Sequence, residues 1–538
     1  MSDKVYGIDL GTTYSAVAIV NELGLPEIVK NFVGEDTTPS VVYFNEDGSA
    51  DIGSQAKQTQ VSDPENACAL IKRHMGEEYP LEFRDQEYTP ESISALILKE
   101  LVNNANSQNG LDIHKVVITV PAYFGTQERQ ATKQAGEIAG LDVVGIIPEP
   151  VAAAIALRAR QEEAQTLLVF DLGGGTFDTT ILKTQAGNVE VVAIDGNRLL
   201  GGADWDQCLE DLFLERFTAQ AGFGGDDDPS LDDDFMTELK VAVEDAKKML
   251  TVRPSTNLLL RFKDKRQRVE VTREEFEAAT SHLVAQTVEI TRRVIETAQG
   301  KFPGLGIDRY LLVGGSSRMP MIRAALAEAG FDAENTDFDL SVAKGAAVFG
   351  QGEIPDPGFA GADGAAPSTA PGGASGAAQL PGVGPAKTVV TNVLSRGLGV
   401  GLVREDRAGD LEDYVEFLAH ANETLPLTAS LRGGIVADGQ TSVEVALFEQ
   451  GGEVESDAPG DNKAMISGPS TTIDSLPPMR EGDPIDVTLE VSEEGVATLL
   501  VVEPGSGKSF KAEAAVSVLT QEDVKRAKKQ IARITTRS

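Results

Sequence analysis

The chain has few of the residues on which disulfide-bonded and metal-clustered proteins depend. Its 538 residues include two cysteines, Cys68 and Cys208, which lie far apart and exclude a disulfide framework. This usage favours a reducing compartment, and we assign no role to either thiol. The 4 histidines are scattered without the spacing of a metal site, so they exclude a histidine-based metal cluster.

Basic residues are also scarce. The chain has 47 lysines and arginines against 84 aspartates and glutamates, which gives a net charge of -37. Because nucleic-acid binding requires clustered positive charge, we expect no nucleic-acid partner. The plainest role of the acidic excess is solubility.

Long apolar stretches are missing as well. No window approaches the roughly 18 consecutive apolar residues of a membrane span. The N-terminus lacks a basic stretch followed by an apolar core. We therefore expect neither a membrane span nor a secretion signal, no membrane partner, and a cytoplasmic location.

One short phrase, in contrast, occurs twice. The chain reads Gly7-Ile-Asp-Leu-Gly-Thr-Thr-Tyr-Ser15 and later Phe170-Asp-Leu-Gly-Gly-Gly-Thr-Phe-Asp178. Each phrase predicts a strand, a tight glycine turn and a second strand. Successive backbone N–H groups in such turns bind anions, and Asp9 and Asp171 at the turns can hold a divalent cation. Two such turns facing each other would hold the phosphates of one nucleotide.

Composition divides the chain into four parts, in line with the three or four domains that its length suggests. Residues 1–350 alternate strand and helix patterns, which predicts an α/β domain with mixed sheets. Residues 351–387 are rich in glycine, alanine and proline and predict a flexible linker. Residues 388–519 predict an all-β domain. Residues 520–538 begin a basic helix that is too short to be stable alone.

Several elements can be predicted individually. Residues 116–120 form a buried strand pattern that ends at a proline, and residues 127–140 form an amphipathic helix pattern. A second helix is predicted over residues 232–250. In the β-domain, the alternation over residues 442–448 predicts one continuous strand.

Further phrases carry a family resemblance. They are Val120-Pro-Ala-Tyr-Phe124, Pro148-Glu-Pro-Val-Ala-Ala-Ala154, Leu312-Val-Gly-Gly-Ser-Ser-Arg-Met-Pro320, Lys344-Gly-Ala-Ala-Val348 and Asn422-Glu-Thr-Leu-Pro426. With the two glycine turns, they make the chain resemble the heat-shock protein 70 chaperones over nearly its whole length. The resemblance implies an actin-like (ribonuclease H-like, duplicated) ATPase domain, a flexible linker and a C-terminal β-sandwich domain that binds unfolded polypeptide.

The resemblance also implies a binding site for ATP and ADP. Its phosphate contacts would come from the two glycine turns and a third glycine pair, while a helix face and a further loop would hold the ribose and adenine, with Arg318 stacked on the base. The implied nucleotide-binding residues are Thr12, Thr13, Tyr14, Gly173, Gly174, Gly175, Gly201, Gly202, Glu244, Lys247, Lys248, Thr251, Gly314, Gly315, Ser316, Arg318 and Asp339.

The same resemblance assigns metal and catalytic roles. Asp9, Glu149 and Asp171 would hold Mg²⁺ mainly through its water shell, since this ion gives up water reluctantly. Asp178 would belong to this cluster and help to hold a monovalent cation such as K⁺. Lys72 would position the attacking water near the γ-phosphate, with the Thr176 hydroxyl as its companion. Glu149 and Asp171 also count among the expected catalytic residues.

Coupling between the domains is implied at Pro121 and Arg129, a relay between nucleotide state and the β-domain. The interdomain linker corresponds to residues 388–392, which are less apolar than the family pattern and lack an acid. Positions in the client groove would be Val400, Leu402, Val443 and Val445. Alternating valines are equally typical of any half-buried strand, so core packing stays open as the alternative.

The chain also departs from the family pattern. Most of the helical lid has no counterpart before Ser538, which predicts faster exchange of bound polypeptide. The segment of residues 76–91 is shorter than the subdomain where exchange factors usually bind. J-domain co-chaperones and nucleotide exchange factors are therefore expected partners by resemblance only.

Two other functions stay open. A sugar or acetate kinase of the same fold superfamily would need a catalytic base in the cleft, and such enzymes have no domain like residues 388–519. An actin-like scaffold or nucleotide-gated adaptor would use the β-domain to hold one dedicated partner.

Overall fold

The computed structural model describes residues 4–158, 164–185, 188–223, 227–335, 338–353, 389–405, 411–466, 471–493, 495–513 and 519–537. Most of the predicted linker, residues 354–387, lies outside the described residues. Residues 4–158 are called the first lobe, residues 164–353 the second lobe, and residues 389–513 the β-domain.

The first lobe contains eleven strands, four helices and two short 3₁₀ turns. They are β1 (Val5–Asp9), β2 (Tyr14–Val20), β3 (Pro26–Val29), β4 (Thr38–Pro39), β5 (Val42–Phe44), β6 (Ala50–Ile52), α1 (Ser54–Thr59), the turn Pro64–Asn66, β7 (Ala67–Cys68), the turn Ile71–His74, β8 (Leu81–Phe83), β9 (Gln86–Tyr88), α2 (Pro90–Asn109), β10 (Lys115–Val120), α3 (Thr126–Ile138), β11 (Asp142–Pro148) and α4 (Glu149–Arg158).

The second lobe repeats this plan with additional helices. Its elements are β12 (Gln165–Leu172), β13 (Phe177–Gln185), β14 (Asn188–Asn197), α5 (Gly202–Ala221), the turn Pro229–Leu231, α6 (Asp233–Val252), β15 (Ser255–Phe262), β16 (Lys265–Thr272), α7 (Arg273–Ala279), α8 (Ser281–Lys301), β17 (Arg309–Val313), the turn Gly315–Arg318, α9 (Pro320–Glu328), β18 (Ala333–Asn335) and α10 (Phe338–Glu353).

The C-terminal part is mainly β-structure. Its elements are β19 (Val389–Thr391), β20 (Leu398–Glu405), β21 (Leu411–Ala419), β22 (Leu427–Gly434), β23 (Val443–Glu444), β24 (Leu447–Glu449), the turn Pro459–Asp461, β25 (Lys463–Ile466), β26 (Thr472–Ile473), β27 (Pro484–Val491), β28 (Ala497–Val502), β29 (Ser509–Glu513), α11 (Gln521–Arg533) and β30 (Thr536–Arg537).

The two lobes have matching sheets. The strand order is β11-β10-β1-β2-β3 in one and β18-β17-β12-β13-β14 in the other. In both, the central strand pairs in parallel with one neighbour and forms an antiparallel hairpin with the next strand, β1 with β2 and β12 with β13. This correspondence confirms the predicted α/β fold with duplicated lobes, and it places the two glycine turns at equivalent hairpin tips.

Helix α10 returns from the second lobe to pack on the first sheet and on α4. Its approach is so close that a Cβ on Gly7 would lie 2.3 Å from the carbonyl oxygen of Ala343. A Cβ on Gly345 would lie 1.7 Å from the carbonyl oxygen of Ala152. Neither Gly7 nor Gly345 can therefore carry a side chain without displacing the opposing backbone, and this packing joins the two lobes.

The β-domain has two four-stranded sheets, β21-β20-β24-β25 and β22-β27-β28-β29, and a short pair β23-β26 around one apolar core. This arrangement confirms the predicted β-sandwich. The predictions for residues 116–120, 127–140 and 232–250 are confirmed by β10, α3 and α6. The single strand over residues 442–448 was wrong, because β23 pairs with β26 whereas β24 pairs with β20 and β25.

Helix α11 packs on the first lobe. Val524 and Ile531 are buried in the first-lobe core. The ammonium group of Lys99 donates to the carbonyl oxygens of Ile531 at 3.0 Å and Ile534 at 2.7 Å, which satisfies carbonyls at the end of the helix. Strand β30 then pairs with β6 and extends a second, smaller sheet of the first lobe, β6-β5-β7. Tertiary packing thus stabilises a helix that its length alone would leave marginal.

The β-domain docks on the second lobe at several points. Strand β19, in the predicted interdomain linker of residues 388–392, pairs in parallel with β14 of the second lobe. The Asn422 side chain accepts from the backbone N–H of Ile194 at 2.7 Å. Arg293 of α8 bridges Asp195 of its own lobe and Glu453 of the β-domain. Within the described ranges, no helix combines the length and the hydropathy that crossing a bilayer requires.

Candidate active site

A cavity of about 720 Å³ lies between the two lobes. It is lined by both glycine turns, by the carboxylates Asp9, Glu149 and Asp171, and by residues of α1, α5 and α6. The predicted nucleotide-binding and catalytic residues that line it are Asp9, Thr12, Thr13, Tyr14, Lys72, Glu149, Asp171, Gly173, Gly174, Thr176, Glu244, Lys247, Lys248, Thr251, Gly314, Gly315, Ser316 and Arg318.

The two glycine turns face each other closely. A Cβ on Gly174 would lie 2.2 Å from Cγ2 of Thr13, and a Cβ on Gly175 would lie 2.3 Å from Cγ2 of Thr12. Neither glycine can carry a side chain without displacing the opposite turn. The structure thus brings the two turns together at one end of the cavity, where their backbone N–H groups can serve a single anion.

The start of α5 is bonded to the second glycine turn. The backbone N–H of Gly202 donates to the carbonyl of Gly173 at 2.9 Å, and that of Ala203 donates to Gly174 at 2.8 Å. A Cβ on Gly201 would lie 2.4 Å from the carbonyl carbon of Gly175. Gly201 and Gly202 are absent from the cavity lining, but they support the turn that lines it.

Lys72 is the most buried cation of the cavity lining. It lies on the 3₁₀ turn Ile71–His74, is 4% exposed, and its Nζ is 2.6 Å from Oε1 of Glu149. Glu149 begins α4, directly after β11. An ammonium group buried beside a carboxylate can stabilise negative charge on a transferred phosphoryl group and orient a water molecule.

The acidic residues occupy two depths. Asp9 accepts from the Thr119 hydroxyl at 2.9 Å and lines the cavity together with Glu149 and Asp171. Asp178 lies opposite Asp171 across the β12–β13 hairpin, is 2% exposed, and accepts from the backbone N–H of Tyr123 at 3.3 Å. Burial, and then the charge of Glu149, raise the pKa of Asp178. Asp178 does not line the cavity.

A charged cluster joins the lobes at the side of Tyr14. Lys57 of α1 forms an ion pair with Glu244 of α6, and Lys248 contacts the same carboxylate at 2.8 Å. The Tyr14 hydroxyl donates to Glu244 at 3.1 Å. Although burial acts to raise it, Lys57 and Lys248 lower the pKa of Glu244 to about 2. Glu244 and Lys248 were predicted, whereas Lys57 was missed because a lone helix lysine carries no sequence signal.

The remaining predicted nucleotide contacts are Lys247, the turn that contains Arg318, and Asp339. Lys247 donates to the carbonyl of Gly202 at 2.8 Å and to Asp206 at 2.7 Å, so it fixes the start of α5. Arg318 ends the 3₁₀ turn that follows β17 and lines the cavity with Gly314, Gly315 and Ser316. Asp339 lies in α10, and its side chain lies outside the described structure.

Sequence reasoning missed Arg73, Asp204 and Asp206, which also line the cavity. Arg73 follows Lys72 directly, and both aspartates follow the Gly201–Gly202 pair. Their adjacency to predicted residues was the available signal. A charged residue next to a functional one is common on any surface, so adjacency alone could not identify them.

The predicted relay residues lie where the two domains meet. Arg129 is partly buried, and its guanidinium donates to the carbonyls of Phe124 at 2.9 Å and Ala122 at 3.3 Å, just after Pro121. Burial lowers the pKa of Arg129 to about 10. The Ser395 hydroxyl of the C-terminal region donates to the same Phe124 carbonyl at 3.1 Å. The segment from Pro121 to Arg129 therefore has contacts in two directions. Tyr123 contacts Asp178, which lies opposite the cavity residue Asp171, and Phe124 contacts Ser395 of the β-domain.

The four residues predicted for the client groove lie in or beside the β-domain core. Val400, Val443 and Val445 are buried, and Leu402 is partly buried against them. The side chain with the most accessible surface of the four is Leu402. In this docked arrangement their packing matches the alternative of core residues, and groove binding stays a prediction.

Comparison with known proteins finds a matching family model and similar curated relatives. The family model described as "Hsp70 protein" matches residues 5–83 and 79–360. Two curated relatives, both named "Chaperone protein DnaK", come from strains R1 and NRC-1 of Halobacterium salinarum. Each is 37% identical over 524 residues, which cover 94% of this chain and 74% of the relative.

Proposed function

The chain belongs to the heat-shock protein 70 family of ATP-dependent molecular chaperones, and on this basis we propose which of its residues bind ATP and which take part in its hydrolysis. ATP would bind in the cavity between the lobes, with its phosphates between the two glycine turns. The observation that carries this proposal is the close approach of Gly174 and Gly175 to Thr13 and Thr12. The chaperone names of the relatives disfavour the dedicated adaptor, scaffold and kinase alternatives.

Members of this family bind nucleotide with Mg²⁺. The carboxylates Asp9, Glu149 and Asp171 line one cavity and fit this hard cation, which prefers oxygen ligands. Among the described residues, no three acidic, histidine or cysteine side chains converge closely enough to hold an ion alone. The ion, when bound, would keep waters and phosphate oxygens as ligands and neutralise developing charge. The K⁺ proposal at Asp178 rests on family resemblance.

We assign the chemistry to residues of both lobes. Lys72 would place the attacking water, and the Thr176 hydroxyl would contact the γ-phosphate from the opposite turn. Glu149 holds the Lys72 ammonium by an ion pair of 2.6 Å and would release it partly when phosphate charge enters the cavity. The helix face of Glu244, Lys247, Lys248 and Thr251, with Arg318, would hold the ribose and base.

Unfolded polypeptide and co-chaperones are partners of this family in general, and J-domain proteins and exchange factors are the specific partners that we propose. A cytoplasmic location is likewise a proposal. Client segments would bind the β-domain near Leu402. The domain limits that we propose are residues 1–350, 351–387, 388–519 and 520–538, with α11 stabilised on the first lobe.

We propose that nucleotide state controls polypeptide release through the segment from Pro121 to Arg129. Its support is the double contact of Phe124, whose carbonyl accepts from Arg129 and from Ser395. ATP should accelerate dissociation of a fluorescent apolar peptide from the full chain by about 5- to 150-fold relative to ADP, the usual range for coupled sites. Equal dissociation rates would refute coupling and leave ATP hydrolysis untouched.

We also predict that domain docking depends on pH through Glu449. Glu449 of β24 is 2% exposed and accepts from the backbone N–H of Thr126 at 3.3 Å, beside Glu128 of α3. Burial, and then the charge of Glu128, raise the pKa of Glu449 despite the opposite effect of Arg396 and Lys463. A carboxyl with a higher pKa in the docked state takes up a proton on docking. Docking is therefore strongest below its ordinary pKa and weakens as pH rises through the raised value.

Glu449→Gln keeps this side chain neutral. The variant should dock more tightly at neutral pH and lose the pH slope that the parent should show over the range above the ordinary pKa of a glutamate. Energy transfer between dyes on the second lobe and the β-domain measures docking across this range. Glu412→Gln, at an exposed ion pair with Arg404, is the matched control. A slope retained in Glu449→Gln would contradict the assignment.

A further inference from the structure

The side chain of Arg73 crosses from the first lobe to the second beside the second glycine turn, which is the phosphate end of the cavity in the proposed function. Its Nε donates to the carbonyl oxygen of Gly175 at 2.8 Å. Its Nη2 donates to Oδ2 of Asp204 at 2.9 Å, and the side chain is 15% exposed. One guanidinium thus holds two acceptors of the opposite lobe, using the forked donor geometry that lysine lacks.

Both acceptors belong to one hydrogen-bonded unit. Oδ2 of Asp204 also accepts from the backbone N–H of Gly201 at 2.7 Å, which caps α5. The next two amides of α5 donate to the carbonyls of Gly173 and Gly174. The glycine turn and the start of α5 therefore move together, and Arg73 binds this unit at the carbonyl of Gly175 and at the capping carboxylate.

The contact of Arg73 can affect hydrolysis because Arg73 and its acceptor Gly175 are sequence neighbours of Lys72 and Thr176. Arg73 follows Lys72 on the same 3₁₀ turn, and adjacent Cα atoms across a trans peptide are only about 3.8 Å apart. Thr176 follows Gly175, whose carbonyl Arg73 holds. Because a peptide unit is planar, fixing that carbonyl also fixes the direction of the Thr176 backbone N–H. Arg73 therefore joins the segment of Lys72 to the segment of Thr176.

We infer that Arg73 is a positioning residue for ATP hydrolysis. Its side chain holds the two lobes together at the phosphate end of the cavity and thereby places Lys72 opposite the Thr176 turn. The inference rests on the proposed roles of Lys72 and Thr176. Arg73 acts through its neighbours, so its loss should alter the hydrolytic step more than nucleotide binding. The Lys57–Glu244 pair joins the lobes elsewhere on the cavity and does not contact the Gly175 turn, so it cannot replace Arg73.

The test uses Arg73→Ala, Arg73→Lys, Asp204→Asn and the double variant Arg73→Ala with Asp204→Asn, all in the full chain. Arg73→Ala should lower the single-turnover rate of Mg–ATP hydrolysis by about 10- to 100-fold, because small misplacements of reacting groups cost rates of this order. Nucleotide affinity should fall less than the rate. Arg73→Lys should restore part of the rate, since it keeps the charge beside Asp204 but not the fork.

The double variant distinguishes positioning from two separate defects. Since both side chains act in one contact, the double variant should hydrolyse ATP no more slowly than Arg73→Ala alone. Arg216→Ala, which removes an ion pair with Glu275 within the second lobe, is the control and should keep the parental rate. Losses that multiply in the double variant, or a parental rate in Arg73→Ala, would overturn the inference.

Lys72→Ala, measured alongside, separates this inference from the proposed function. If Lys72→Ala hydrolyses ATP at the parental rate, the proposed function fails. If Lys72→Ala is impaired while Arg73→Ala is not, only the role of Arg73 fails. Should Arg73→Ala not fold, Arg73→Lys and Asp204→Asn carry the test, and parental rates in both would refute the positioning role.

Discussion

Replacing Lys72 with alanine should abolish most ATP hydrolysis while nucleotide binding persists. The Lys72 ammonium is almost fully buried and is held 2.6 Å from Glu149, so it is placed before the reaction rather than recruited during it. Removing one preorganised electrostatic group from an active site typically costs about 10²- to 10³-fold in rate. Binding persists because the backbone of the two glycine turns and the α6 face remain.

Single-turnover hydrolysis and equilibrium binding of Mg–ATP measure the two effects separately. Thr176→Ala should behave in the same way, with a smaller loss, since a neutral hydroxyl contributes less than a charge. Lys183→Ala is the control, because Lys183 lies over the ring of Phe302 in the second lobe, outside the cavity. Parental single-turnover rates in Lys72→Ala and Thr176→Ala would refute both roles.

Gly201→Ala should weaken nucleotide binding by about 10- to 100-fold. A Cβ at this position would lie 2.4 Å from the carbonyl carbon of Gly175 and 2.5 Å from the backbone nitrogen of Thr176. Both atoms are backbone, so the glycine turn itself must shift. Overpacking of this kind costs about 1–3 kcal/mol, and each 1.4 kcal/mol corresponds to about tenfold in affinity.

Calorimetric titration of Gly201→Ala with Mg–ADP, which is not hydrolysed, gives the affinity directly. Gly300→Ala is the matched control, because a Cβ on this glycine of α8 meets nothing within 4 Å. The control should bind as the parent does and unfold at a similar temperature. Parental affinity in Gly201→Ala would show that the turn tolerates displacement and does not hold the phosphates.

The sequence predicted the elements whose signal is local. The strand β10 is a continuous apolar run, the helices α3 and α6 have strong periodicity, and the phrases around Asp9 and Asp171 mark two hairpin tips of equivalent topology. The phrase at Gly345 was recognised as a motif. Only the structure shows its cause, which is the contact of α10 with Ala152.

Features that depend on pairing between distant segments could not be predicted. Residues 442–448 alternate as one strand, yet β23 and β24 pair in different sheets, which no local pattern encodes. The burial of Glu449 against Glu128 and the packing of α11 on the first lobe arise from docking between segments hundreds of residues apart. The places of Lys57 and Arg73 in the site could not be predicted either. Their partners Glu244, Gly175 and Asp204 belong to the other lobe and are distant in the sequence.

The central claim is that two equivalent hairpin tips, one from each lobe, hold the phosphates of a single nucleotide. Titration calorimetry of the folded full chain with magnesium-complexed ADP tests it most directly. We expect saturable binding of one nucleotide per chain, weakened in Gly201→Ala and unchanged in Gly300→Ala. No uptake by the folded chain, or two independent nucleotides per chain, would contradict the account.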